Sequence, residues 1–422
     1  MATKEVIATN GASWYVISFA LSFGLNIVFT FIAAGQLGVR AFGVFTLLTS
    51  ITQIGVSIVN AGFYTSALTK AGPHSAGHRV TALLGTRIST SVTLAQLLIV
   101  LLAIPLALAK HELQLYIITG STYIWLSSIQ PLWVYQVKGE HRIFNETLIL
   151  QRLSYVLPGI AAMLCGKDLR WVCIIWGASP ITSAIVFYKA NPQAKKYLYN
   201  CVLLKTRGMR TALITVSHEG RFLIADLLAT VAATLPNIII ARSSSVADVG
   251  IYSFVDKLKG YATATFAPFN SAQYARMCSL CSQKLYREAS KVVTRYWLVI
   301  GSLGSIGAVG GLNTTLSLVQ DIGDGEYAPG KIAISIFWLS LPLLAICSGF
   351  NLLYFSSQRI TRFQNIGIGL KIVIFALCYY VISPMMGAVT SAAAAYIASE
   401  LGAILLCYRM SLPTSKLRIT LR

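Results

Sequence analysis

Eleven charged side chains stand inside or at the edges of long apolar stretches of this chain: Arg87, Glu146, Arg152, Glu219, Arg221, Asp226, Asp256, Lys257, Lys259, Lys371 and Glu400. A charge at the centre of a bilayer costs about 2.5–3.5 kcal/mol on insertion scales, so such groups need a protein interior or a wet cavity. Cations outnumber acids, and the chemistry open to a cationic surplus is the binding of an anion. Arg grips a phosphate as a planar fork and Lys as a point charge. Spacing argues against local cancellation. Arg152 is about ten residues into its stretch, near mid-depth, and Glu146 lies six residues earlier, beyond i,i+4 reach. Asp226 follows Arg221 by five residues, again a poor intrahelical pair. Asp256 and Lys257 are adjacent and point to different faces. The alternative is a set of salt bridges between helices. Arg87, Glu219 and Lys371 are also near enough to helix ends to snorkel toward the headgroups. Asp226 is the candidate for a protonatable or cation-binding carboxylate.

Other chemistries find no support. There is no P-loop, so direct use of ATP is not indicated. The five histidines (His74, His78, His111, His141, His218) occupy loops or helix ends and form no ligand cluster. Cys278 and Cys281 make a CxxC without a second pair, which reads as inert. Cys165 and Cys173 flank one loop, and a disulfide between them stays open. No nucleophile–base pair stands out. The expectation is a non-enzyme with no catalytic residue, no metal and no cofactor.

The elements that must position these charges are membrane helices. Hydrophobic residues make up 55% of the chain, charged residues 11%, and mean hydropathy is +0.68. No soluble domain hides that much apolar surface. With about 20 apolar residues per crossing, the sequence predicts twelve helices near 13–34, 41–67, 80–109, 114–136, 143–164, 171–188, 219–241, 249–275, 294–316, 332–356, 363–382 and 386–407. The first run is too long for a signal-peptide core and is followed at once by another, so it reads as a retained helix. Lys and Arg fall in alternate loops, 21 on one side and 6 on the other. The positive-inside rule then puts both termini in the cytoplasm. The formal charge of +20 is not a nucleic-acid signature, because most of it lies in those loops, where it meets lipid headgroups.

The polar stretch 189–210 divides the chain into an N-terminal lobe (1–188) and a C-terminal lobe (211–422) of six helices each. A weak repeat supports the division. Residues 39–52 (VRAFGVFTLLTSIT) and 246–259 (VADVGIYSFVDKLK) correspond at an offset of 207, with Val39 on Val246, Gly43 on Gly250, Val44 on Ile251 and Phe45 on Tyr252. An even number of helices per half makes the repeat parallel, and transporters of that design place their site between the halves. The longest outer loop, 317–331, carries Asp321, Asp324 and Glu326 and is too short for a catalytic domain. The glycines at 301, 304, 307, 310 and 311 read as close helix packing in preference to a hinge.

Three segments carry a family resemblance. GQLGVRAFGVFTLLTSI (35–51) resembles the LG-x-x-x-FG segment of polysaccharide-export flippases, the O-antigen and exopolysaccharide repeat-unit translocases of the multidrug/oligosaccharidyl-lipid/polysaccharide exporter superfamily. PLWVYQVKGEHR (131–142) resembles that family's Pro–Trp–aromatic–Gln–Gly–Glu stretch at Pro131, Trp133, Tyr135, Gln136, Gly139 and Glu140, with Val137 and Lys138 interposed. VADVGIYSFVDKL (246–258) resembles the segment opening the eighth helix. The resemblance implies an all-α membrane protein of two six-helix lobes around a central cavity that opens alternately to either side of a bacterial inner membrane. It implies an undecaprenyl-pyrophosphate-linked oligosaccharide as substrate, with polymerase and chain-length proteins as possible pathway partners. On that basis Arg87, Arg152, Arg221, Lys257, Lys259 and Lys371 are candidates for the pyrophosphate or the cavity wall, and Asp226 for coupling. Trp14, Tyr64 and Trp133 are aromatic enough to stack on sugars, although belt positions explain them equally.

Three other functions compete. A cation-coupled drug exporter of the same superfamily would call for an acidic cavity, against the basic surplus here. A membrane-embedded polysaccharide polymerase would call for long outer loops. A scaffold without transport would leave the intramembrane charges without a use.

Overall fold

The computed structural model describes residues 2–63, 77–108, 111–138, 140–192, 194, 206–350 and 361–411. Among them the chain is helical, with short turns. The helices are α1 (Ala2–Asn60), α2 (Gly77–Leu108), α3 (His111–Ser128), α4 (Trp133–Val137), α5 (His141–Leu164), α6 (Leu169–Ala178), α7 (Pro180–Ala190) and α8 (Thr206–Ser243). They continue with α9 (Val246–Ala264), α10 (Ala267–Ser282), α11 (Tyr286–Asp321), α12 (Lys331–Leu339), α13 (Leu341–Phe350), α14 (Thr361–Met386) and α15 (Ala388–Ser411). Two 3-10 turns, Ile322–Gly325 and Ala328–Gly330, join α11 to α12. Among the described residues eight helices are long and apolar enough to cross a membrane, nine if the bent pair around Ser340 forms one span. Lipid-facing side chains such as Val309, Val381 and Met385 are more than 70% exposed, as expected where hydrocarbon replaces water.

Local chemistry explains the breaks. Gly38 (φ 74, ψ 165) divides α1 into two helices in a backbone region that glycine tolerates and bulkier residues do not. Pro180 opens α7 directly after the end of α6, a first-turn position where a missing N–H costs nothing. Pro342 stands at the start of α13, and the chain turns at Ser340. Elsewhere glycine serves packing. A Cβ on Gly304 would lie 2.7 Å from the Cα of Pro342, and one on Gly311 would enter the Trp338 ring. The long helix α11 thus packs against α12 and α13 without interrupting itself.

The chain forms two compact units: residues 1–37 with 47–230, and residues 38–46 with 231–422. In the first, Phe63, Ile88, Val92, Trp133, Tyr135 and Phe187 share one buried cluster. In the second, Tyr296, Ile300, Leu341, Ala345 and Cys407 share another. The polar stretch 189–210 is described only at 189–192, 194 and 206–210; the rest lies outside the described residues.

The second unit contains the contact between the two repeated segments. A Cβ built on Gly43 would strike the Val246 carbonyl oxygen, and one on Gly250 would strike the Val39 carbonyl oxygen. The helices cross backbone to backbone at the two glycines that correspond at an offset of 207. Above this crossing Glu326 accepts a hydrogen bond from the Val39 N–H at 2.9 Å, capping the restarted helix after Gly38 with a negative charge at its positive end. Tyr327 packs its ring against Phe42 and Phe254. Burial, with Glu326 adding to it, pushes the Tyr327 phenol above its ordinary range, so it stays neutral.

Candidate functional site

The first unit holds a cavity of about 270 Å³ lined by side chains of α1 to α5 and the segment between α3 and α4. Its polar wall includes Gln53, Asn60, Arg87, Ser127, Gln130 and Gln151, and no Asp or Glu lines it among the described residues. Arg87 is 1% exposed. Its Nη1 donates to the Phe63 carbonyl at 3.0 Å, and its guanidinium lies 5.1 Å from the Phe63 ring centroid and 4.8 Å from that of Trp133. The location has a local cause. The backbone leaves the helix beyond Asn60 through positive φ at Ala61 (47°) and Gly62 (67°). Gly62 is pressed against the backbone of Phe222 and Leu223. Arg87 therefore lines the cavity and holds the chain just past the break.

Gln130, Pro131, Leu132 and Trp133 form part of the wall, and their surroundings are pinned in place. The Tyr188 hydroxyl donates to the Ile129 carbonyl at 2.8 Å, and Lys138 Nζ donates to Asn191 at 2.9 Å. Tyr135 packs edge-on against Phe187. Gln130 accepts from Ser183. Trp133 is held in the buried cluster under Arg87, which is a different position from a lipid-belt residue.

Arg152, next to Gln151 of the cavity wall, donates to the backbone carbonyl of Ser22 at 2.7 Å and to its hydroxyl. Among the described residues no carboxylate lies within ion-pair distance of it; Glu146 is taken by Arg142 at 2.8 Å. Asp226, on α8, is partly buried and has no cation within ion-pair distance among the described residues. The side chains of Glu219 and Arg221 lie outside the described residues, as do those of Trp14 and Cys278 and the whole of Tyr64. Cys165 and Cys173 are both free thiols.

The three lysines belong to the second unit, where their surroundings differ. Lys371 meets Glu400 across α14 and α15 at 2.6 Å. Lys259 pairs with Asp256 one turn earlier on α9, and its ammonium lies 3.5 Å from the Tyr396 ring centroid. Lys257 faces the Phe42 ring at 5.3 Å, with no carboxylate in ion-pair range among the described residues. The candidate cations thus include two with acidic partners, Lys259 and Lys371, and two, Arg152 and Lys257, with no carboxylate in ion-pair range among the described residues. No group of three metal-ligating side chains occurs among the described residues.

Sequence reasoning missed the carboxamides Gln53, Asn60, Gln130 and Gln151. The signal was present: Gln53 and Asn60 stand seven residues apart, two turns along one face of an apolar helix. An uncharged amide inside a membrane is nearly as informative as a charge, because it too needs partners.

Comparison with known proteins agrees with this architecture. No curated protein sequence matches the chain. Among solved structures, the lipid II flippase MurJ in an inward closed conformation matches with a TM-score of 0.69 at 10% identity, over 94% of this chain and 87% of that one. An inward-facing multidrug resistance MATE transporter of the MOP superfamily matches at 0.63 and 11% identity, over 95% and 98%. A MOP-superfamily transporter from Pyrococcus furiosus, described by the reverse polarity of its binding pocket, matches at 0.59 and 10% identity, over 96% and 95%. At these identities the likeness establishes the fold, that of an all-α multi-pass membrane protein. The family of polysaccharide biosynthesis proteins matches residues 8–280, well over half the chain, and the chain belongs to that family.

Proposed function

We propose that this chain is a flippase for polyprenyl-pyrophosphate-linked oligosaccharide repeat units. It carries them by alternating access from the cytoplasmic to the periplasmic face of a bacterial inner membrane, for O-antigen, capsule or exopolysaccharide assembly. The observation that carries this reading is the family match over residues 8–280. The fold likeness to a lipid II flippase and the cavity with its buried Arg87 and no Asp or Glu among its described lining residues support it. Both termini lie in the cytoplasm, and residues 189–210 join two six-helix lobes. The protein moves its substrate without making or breaking a bond in it.

Arg152 is the first group assigned to an anion, since its partners in the structure are neutral. Lys257 has the same standing in the second unit. Arg87 has a prior task at the Phe63 carbonyl and beside the Phe63 and Trp133 rings, and it stays a candidate for the cavity wall. Lys259 and Lys371 give most of their charge to Asp256 and Glu400, and Arg221 stays a candidate. Asp226 is the coupling group, able to exchange a proton or cation. Polymerase and chain-length proteins act downstream.

The test is a deletion strain assayed for surface polysaccharide and for lipid-linked repeat units on each membrane face. Loss of polymer with complete repeat units retained on the cytoplasmic face is the expected result. Unjoined single units on the outer face would replace this reading with a polymerase. Normal polymer in a strain without a second flippase would replace it with drug export.

A further inference from the structure

A second cavity, of about 220 Å³, opens between α10 and α11 in the second unit. Arg276 and Gln273 reach it from α10, and Glu288, Lys291 and Arg295 from α11, above a floor that includes Phe269 and Val299. Its one acid is engaged: Lys291 donates to Glu288 at 2.9 Å. Among the described residues neither Arg276 nor Arg295 has a carboxylate within ion-pair distance. The cleft therefore presents two guanidinium groups from adjacent helices with no counter-charge of their own.

Depth fixes what can meet them. No charged residue occurs in 260–275, before Arg276, nor in 296–320, after Arg295. Both arginines are thus the boundary charges of long uncharged runs, the level at which headgroup phosphates lie. Phe269 and Val299, next to them, are about half exposed and face outward as a strip for acyl chains. A basic pocket between membrane helices with an apolar strip beside it fits a phosphate attached to hydrocarbon better than a soluble anion.

The geometry points to a binding site for an anionic phospholipid, with its phosphate between Arg276 and Arg295 and its chains along Phe269 and Val299. The site belongs to the second unit alone and does not depend on what the cavity of the first unit transports.

The test uses the full-length protein in nanodiscs of phosphatidylglycerol or of phosphatidylcholine with the same chains, with thermal melting and native mass spectrometry as readouts. Phosphatidylglycerol should raise the melting temperature and remain bound in the mass spectrum. Arg276→Gln/Arg295→Gln should remove most of that rise and weaken phosphatidylglycerol binding at least about tenfold, while melting in phosphatidylcholine stays unchanged. A control pair, Lys189→Gln/Arg210→Gln, should keep the rise. Equal loss in the control would reduce the effect to general surface charge and overturn the site. Equal protection by inorganic phosphate in phosphatidylcholine discs would overturn the lipid as its source. If the double variant does not fold, the single variants decide: each should lose part of the rise, and full retention by both overturns the proposal.

Discussion

The two units hold buried cations in opposite ways. In the second, Lys371 and Lys259 have carboxylate partners from the same unit. In the first, Arg152 rests on a serine carbonyl and hydroxyl, with no carboxylate in ion-pair range among the described residues. A carboxylate cancels a charge; a carbonyl or a ring only solvates it. The first arrangement is what a structural bridge needs. The second leaves positive potential for something that arrives later. Lys257, facing a ring, is the member of the second unit that follows the rule of the first.

Mutations can break or sharpen this contrast. Glu400→Ala strands Lys371, only 20% exposed as a side chain, and should cost about 3 kcal/mol in thermal melting. Lys371→Met with Glu400→Leu should recover most of that loss and retain transport; failure to recover would mean the pair does more than fix helices. Arg87→Lys keeps the charge but loses the planar fork and stacking. It should cost about 2 kcal/mol, read as a lower melting temperature. No change would show that the contacts to Phe63 and Trp133 carry little weight. Arg152→Ala should lower polymer export about tenfold at equal protein level, about 1.4 kcal/mol, with melting little altered and Arg152→Lys partly active. Normal export would remove Arg152 from the substrate path and with it the meaning drawn from the contrast. The smallest effect belongs to Glu146→Gln: its bridge to the exposed Arg142 should be worth about 0.5 kcal/mol or less in the same melting assay.

Much of this was legible in the chain itself, for physical reasons that also set the limit. Apolar length and loop charge mark the helices because a bilayer permits little else. Gly38 falls between the first two predicted helices, whereas Pro180 divides the predicted helix 171–188 into α6 and α7. Partners were not legible. Nothing in the sequence joins Lys371 to Glu400, 29 residues away on another helix, or Arg87 to the Phe63 carbonyl. The absence of an i,i+4 acid correctly warned that Arg152 had no intrahelical partner, yet the same test gave no hint that a serine would serve. The outer loop 317–331 read only as acidic and too short for a catalytic domain, while Glu326 proves to cap a helix that begins 287 positions earlier. The carboxamides of the first cavity carry no formal charge, so the charge pattern is silent about them.

The crossing of Gly43 and Gly250 has a consequence for mutation. Each glycine touches the carbonyl of the residue four before the other, Val246 for Gly43 and Val39 for Gly250, and those valines correspond to one another as the glycines do. That reciprocity is the signature of an isologous contact, the kind two identical subunits make about a twofold axis. Two identical half-length chains would make the same contact about a twofold axis. In such a dimer a single substitution at the glycine would strike both sides of the crossing. In this chain the two positions mutate separately, and each still constrains the other.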